Sequence, residues 1–240
     1  MKYAERGNKD VEMAWLEDGA YPYYRNIVQR TGFDSNLFSR FLHKILFKYV
    51  FCCGKFCDVD FDEMGGSSVL KKAYLTFAGL EREPYHTPKK IVSITNEEYT
   101  HGIKALYPIE NIMPKDKAVI IIVDKLDSYK YAEKVKAAFE KYISICKGQN
   151  MPVYCKFHPR EEDTWSVFDS CVILDKNVGI ESIYASLANY TDLFTIVGVK
   201  STGLQSAKKI GFTTISLFHM CGEENRNLID FYSRIGIKIL

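Results

Sequence analysis

Ala118-Val119-Ile120-Ile121-Ile122-Val123 is six apolar residues without a polar break. A strand with one face in water alternates apolar and polar side chains. A run without alternation, rich in β-branched residues, suits a strand covered on both faces, as in a parallel sheet with helices on each side. The flanking chain agrees. Lys90–Ile94, Val153–Phe157, Cys171–Leu174, Asp192–Gly198 and Thr213–Leu217 read as further strands. Tyr129–Cys146, Ile180–Leu187, Leu204–Ile210 and Glu224–Ile235 read as helices, with Gly148 and Gly211 placed to end two of them. Strands alternating with helices at this spacing make βαβ units. The expected class is α/β, with a Rossmann-like parallel layer over residues 89–240. Right-handed crossovers then bring the loops after the strands to one edge, where open α/β sheets bind ligands.

Residues 1–88 have a different texture. Val11–Leu16 reads as a short strand ended by Glu17-Asp18-Gly19, a tight acidic turn able to present a carboxylate. Asn36–Phe51 has near-helical apolar spacing and scattered basic residues, which predicts a helix packed on the body; its cations also allow peripheral contact with a membrane. Cys52, Cys53 and Cys57 lack a fourth partner at zinc-site spacing, so they are expected as thiols. Asp58, Asp60 and Asp62 alternate as in a calcium loop, but the Gly and terminal Glu fall at the wrong places, which leaves a solvated loop. A net charge of +2 gives no electrostatic footprint for nucleic acid. Seven cysteines without a repeating framework suit a reduced, cytoplasmic protein. No run approaches the length of a spanning helix, and Met1–Asp10 is too polar for a signal peptide.

Three strand-end loops carry candidate chemistry. Tyr154-Cys155-Lys156-Phe157 runs into His158-Pro159-Arg160-Glu161, where Pro159 stops the ladder. That puts a histidine, able to exchange protons near neutral pH, at a strand's carboxyl end beside cations suited to an anion. Val199-Lys200-Ser201-Thr202-Gly203 joins a strand to a helix, and its hydroxyls and peptide N–H groups at a helix amino terminus suit phosphate. An ordinary helix cap explains the same residues. Gly179-Ile180-Glu181-Ser182 opens another helix, with Glu181 able to meet a ribose diol or to complement the helix dipole. Together they point to a nucleotide carrying phosphate.

In this order, Glu17-Asp18-Gly19, Lys156-Phe157-His158-Pro159, Glu181 and Ser201-Thr202 resemble the anchors of the bacterial GT-B sialyltransferases and polysialyltransferases. Those families share an acidic-acidic-Gly turn, a Lys-x-His-Pro motif, a downstream Glu and a Ser-Ser or Ser-Thr loop. The resemblance is closest to the lipo-oligosaccharide sialyltransferase and capsular polysialyltransferase branches and spans residues of about 15 to 220. It implies inverting transfer of sialic acid from CMP-sialic acid to a glycan hydroxyl, with no metal and no cofactor. Asp18 or Glu17 would then be the base, with Asp18 favoured. His158 would protonate the leaving phosphate, Ser201 and Thr202 would hold its oxygens, and Lys156 and Glu181 would bind nucleotide and ribose, beside Pro159. The expected location is the cytoplasm, with the inner face of the membrane as a further site.

In that family the acidic turn closes a full first domain, whereas here few residues precede it. Residues 1–88 are therefore expected to be a remnant of the acceptor domain plus a helical linker: either the chain is a truncated reading frame or fragment, or a partner chain or oligomer completes the acceptor side. Two alternatives accompany this reading. One is a transferase using another CMP- or CDP-linked donor, Kdo or glycerol phosphate. The other is a non-catalytic nucleotide-binding remnant.

Overall fold

The computed structural model describes residues 14–17, 22–23, 71–81, 90–106, 116–125, 128–162, 165–222 and 224–240. Asp18, Gly19, the 36–51 segment, the three clustered cysteines and the 58–68 acidic stretch lie outside the described residues. The chain divides into two compact units, Met1–Ile94 and Thr95–Leu240.

The first unit holds a parallel sheet of β1 (Ala14–Leu16), β2 (Lys72–Leu75) and β3 (Lys90–Ser93), in that spatial order. The register sets Ala14 beside Lys72 and Lys72 beside Lys90. Strand β2 lies in the centre and buries Ala73 and Leu75. Its KAYL sequence alternates so briefly that nothing in it singles out a strand.

The second unit is built on a six-stranded, all-parallel sheet. Its strands are β4 (Ala118–Val123), β5 (Val153–Phe157), β6 (Val172–Ile173), β7 (Phe194–Gly198), β8 (Thr213–Ser216) and β9 (Lys238–Ile239). The spatial order is β6-β5-β4-β7-β8-β9. The chain winds outward from β4 through β5 to β6, returns to the other side of β4, and winds outward again. This is the doubly wound Rossmann order, and its switch point lies between β4 and β7.

Every residue of β4 is buried, as its unbroken apolar run requires. Helix α1 (Asn96–Leu106) packs against α3 (Ile180–Leu187) and α4 (Thr202–Ile210). The Tyr99 hydroxyl donates to Ser206 Oγ at 2.9 Å and Lys104 to Asn189 at 3.1 Å. Helix α2 (Ala132–Gly148) joins β4 to β5 and packs on β5 and on a 3-10 turn at Ser166–Phe168. There Phe168 lies 5.3 Å from both Phe139 and Phe157, ring centre to ring centre. Helix α5 (Arg226–Arg234) is capped by Asn225, whose side chain accepts the Leu228 N–H at 3.2 Å.

Two expected stops resolve differently. Gly211 ends α4 in the left-handed conformation, with φ 115°, as a C-terminal glycine should. Gly148 stays inside α2, and the left-handed residue is Asn150 with φ 54°. Asparagine tolerates that region because its short amide bonds locally. Helix α1 and strand β9 were not foreseen. Residues 96–106 are mostly polar, and β9 is only two residues long.

A close approach fixes the carboxyl end of β7. A Cβ on Gly198 would meet the Ile122 carbonyl oxygen at 3.2 Å and the Leu204 side chain at 3.5 Å. The carbonyl sits in a ladder and cannot retreat, and Leu204 is fully buried. Gly198→Val should therefore cost about 1–3 kcal/mol by overpacking, read as a lower midpoint in denaturant unfolding. An unchanged midpoint would show that the strand end is less tightly built.

Candidate functional site

Three neighbouring strands, β5, β4 and β7, end on one edge, and each delivers polar groups there. Adjacent strands lie about 4.8 Å apart, so the ends of β5 and β7 are separated by roughly 10 Å, with β4 between them. A nucleoside monophosphate spans such a distance.

His158 follows β5 directly. Its peptide N–H donates to the Val123 carbonyl at 3.0 Å, so the loop starts as a last rung of the sheet. The His158 carbonyl accepts the Glu161 N–H at 2.9 Å, closing a turn with Pro159 at its second position, where proline's fixed φ fits. The Arg160 peptide N–H donates to His158 Nδ1 at 3.1 Å. With Nδ1 accepting, the neutral imidazole carries its proton on Nε2. The turn therefore presets His158 as a hydrogen-bond donor through Nε2.

Lys156 has a different environment from the one its sequence position suggests. It is 2% exposed. Its ammonium donates to the Phe157 carbonyl at 2.8 Å and the Lys176 carbonyl at 3.1 Å. Burial pulls its pKa below the usual lysine range, while Asp175 and Glu181 act in the opposite direction. Lys156 thus braces the His158 loop against the turn before α3. Glu181, in the first turn of α3, is half-buried on the same side as that ammonium.

Ser201 caps α4, accepting the Gly203 N–H at 3.3 Å. Thr202 follows, exposed, as the first helical residue. The loop is anchored from below. Ser216 Oγ donates to the Val199 carbonyl at 2.6 Å, and the Tyr232 hydroxyl from α5 donates to the Ser201 carbonyl at 3.2 Å.

Asp124, the first residue after β4, is the one sequence reasoning passed over. It stands at the switch point between the His158 and Ser201 loops. The Tyr129 hydroxyl donates to its Oδ2 at 3.1 Å and accepts the Asp124 N–H at 3.2 Å. Ser201 and the Lys200 backbone also favour the charged carboxylate. The Lys200 ammonium reaches the Ser128 carbonyl at 2.7 Å and lies 5.2 Å from the centre of the Tyr129 ring. Burial outweighs these donors and raises the Asp124 pKa above the usual carboxylate range. Burial first, and the Asp124 charge next, hold the Tyr129 phenol far above its own range, so it stays a donor. The signal was available: an acid directly after a fully apolar strand occupies the binding edge by construction.

In the first unit, Glu17 follows β1 with its peptide N–H on the Tyr74 carbonyl at 3.1 Å. Its Oε2 accepts both the Tyr23 hydroxyl and the Thr76 peptide N–H. Tyr23 in turn accepts the Phe77 N–H at 2.8 Å. Burial, and then Glu17, push the Tyr23 phenol well above its ordinary range. Glu17 is thus an anchored carboxylate.

The chain matches the alpha-2,8-polysialyltransferase (POLYST) family over residues 8–219. The chain belongs to this family. The match takes in the acidic turn as well as the His158, Glu181 and Ser201 loops, so all the anchors of this polysialyltransferase-family chain fall inside it. No curated protein sequence matches it. Among solved structures, that of S. aureus homoserine dehydrogenase at pH 6.5 is 14% identical, over 52% of this chain and 32% of that one, with a TM-score of 0.29. A score that low carries no argument.

Elsewhere, a surface groove of about 650 Å³ runs beside Trp165, lined by Glu133, Lys136 and Glu140. None of its residues lies at a strand end. Among the described residues, no three His, Cys, Asp or Glu side chains are grouped to hold a metal. Among the described residues, Cys146, Cys155, Cys171 and Cys221 stand outside any disulfide. No described helix is long and apolar enough to cross a membrane.

The raised Asp124 pKa makes stability depend on pH. A carboxyl raised in the folded state favours the protonated form. Its contribution is complete below the unfolded value of about 3.9 and is lost as pH rises through the folded value. Asp124→Asn, which cannot ionise, should therefore melt increasingly above the parent as pH is raised from about 4 to about 8. A gap that is flat, or that widens toward acid, would contradict this environment.

Proposed function

We propose that this polysialyltransferase-family chain transfers sialic acid from CMP-sialic acid to a glycan hydroxyl, with inversion and without a metal, in lipo-oligosaccharide or capsular polysaccharide synthesis. Family membership supports sialyl transfer. The observation that carries the donor assignment is the convergence of His158, Asp124 and Ser201 at the switch point of a Rossmann-ordered sheet. That is where doubly wound sheets hold nucleotides.

The roles follow from the chemistry each group has available. As the bond from sialic acid to phosphate breaks, negative charge grows on the CMP phosphate. The Nε2–H of His158 is preset to meet it, and the Thr202 hydroxyl and the amino terminus of α4 add donors and a favourable dipole. Glu181 takes the ribose diol. Lys156 acts through position, holding the histidine loop in place. On the acceptor side a carboxylate removes the hydroxyl proton as the new bond forms. Glu17 already receives two donors, which supports Asp18 as that base with Glu17 as its anchor. The sugar centre passes through an oxocarbenium-like state, as in other glycosyl chemistry. The enzyme works in the cytoplasm at the inner membrane face, on an acceptor glycan.

Transfer from CMP-sialic acid to a lactose-terminated acceptor tests this directly. His158→Ala should lower turnover by about 10²–10⁴-fold, the usual worth of a positioned proton donor. CMP affinity should stay within about tenfold, the scale of one lost hydrogen bond. Unchanged turnover in the variant would remove His158 from the reaction, and transfer from a Kdo donor instead would reassign the sugar.

A further inference from the structure

Buried side-chain nitrogens and oxygens nearly always have a hydrogen-bond partner, so an exception calls for a reason. Among the described residues, two such atoms have none: Gln205 Nε2 and Thr214 Oγ1. Thr214 is the second residue of β8, at the end of that strand away from the binding edge. Gln205 lies in α4, whose amino terminus stands at that edge after β7. Its side chain is buried, at 4% exposure. It comes four residues after the Ser201 cap and three after Thr202, so the three share one face of the helix. Helical side chains lean toward the amino terminus and cover the turn before their own Cα. The Gln205 amide is thereby directed at the Ser201–Thr202 turn. The nearest backbone acceptor there is already used: the Ser201 carbonyl receives the Leu204 N–H at 3.1 Å and the Tyr232 hydroxyl at 3.2 Å. With both lone pairs engaged, it has no place for a further donor.

We propose that Gln205 is a further binding residue of the nucleotide site, whose side-chain amide donates to a phosphate oxygen of the sugar donor seated at the amino terminus of α4. This rests on the reading of the switch point as the CMP site. Nε2 only donates, so its partner must be an acceptor. At a helix amino terminus the dipole and the peptide N–H groups select a negatively charged one. Gln205 differs from its neighbours in what it gives up. Ser201 Oγ already accepts the Gly203 N–H at 3.3 Å, and His158 Nδ1 already accepts the Arg160 N–H. The Gln205 amide N–H has no bond to break when it turns to a ligand. It is also already stripped of water by folding. A bond to a phosphate oxygen is charge-assisted, and forming it here does not repeat the cost of drying the donor.

Gln205→Met tests this in the full chain, since it removes the amide while keeping a long, unbranched side chain. A buried donor without a partner adds nothing to the stability of the free protein, so the variant should melt at or above wild type when no ligand is present. Isothermal titration should show CMP bound about ten- to hundredfold more weakly by the variant, the worth of one hydrogen bond to a charged group. Cytidine, lacking phosphate, should bind both proteins equally. A variant that binds CMP as tightly as wild type overturns the proposal, and a lowered melting midpoint beside that unchanged affinity would make the amide purely structural. Equal losses for CMP and cytidine overturn it too, since the amide would then serve the base or the ribose. If wild type itself binds no CMP, the nucleotide reading falls and takes this with it; CMP binding by wild type with no loss in Gln205→Met sinks this inference alone. Should Gln205→Met not fold, the nitrogen-15 side-chain amide signal of Gln205 in wild type decides: a shift with CMP and not with cytidine supports the contact, and no shift rejects it.

Discussion

Ile121 of β4 stands in register with Cys155 of β5 on one side and Val197 of β7 on the other, and all three are fully buried. That double pairing is the constraint on which the second unit depends. A central strand that is apolar on both faces must be covered by helices on both faces. Helices that cross over right-handedly from such a strand carry the chain outward in one direction and then in the other. The seam left beside β4 is the switch point, where the loops after β4, β5 and β7 bring polar groups to one edge. The candidate site is what those loops hold.

Energetics and chemistry are linked at this seam. Burying each of the three isoleucines of β4 contributes about 1.5–3 kcal/mol, and that is what keeps strand ends in fixed register. The fixed ends allow polar groups to be held where they would not gather by themselves. Lys156 is buried with two backbone carbonyls, Asp124 with the Tyr129 hydroxyl, and Ser201 holds the cap bond that opens α4. Each is satisfied and each limits its neighbour. His158 is the counter-example, with its ring accepting a single backbone N–H and its other nitrogen left as a donor. A site of this kind binds by exchange: a ligand must replace bonds that already exist.

Much of this was legible in the sequence, and the pattern of success has physical causes. Strands β4 and β7 announce themselves because a strand buried on both faces tolerates few polar residues. Helix α4 was readable from the Ser201 cap to the Gly211 stop because both termini have stereochemical requirements. Helix α1 was missed because its exposed surface leaves only Ile103 buried, too few apolar residues to set a period. The Lys-x-His-Pro resemblance implied that Lys156 binds the nucleotide; its ammonium turns back to the carbonyls of Phe157 and Lys176, a partnership that no sequence pattern announces. Asp124 was overlooked for the opposite reason. A single acid after an apolar run looks like the start of a solvated loop until the strand order shows that this loop sits at the seam.

The central claim is that a pyrimidine monophosphate seats at the carboxyl ends of β4 and β7. A crystal structure of the chain with CMP measures this most directly. The account predicts the phosphate over the amino terminus of α4, within hydrogen-bond reach of Ser201 or Thr202 and of His158 Nε2, with Asp124 beneath it. CMP bound in the groove beside Trp165, or at the opposite edge of the sheet, would contradict it.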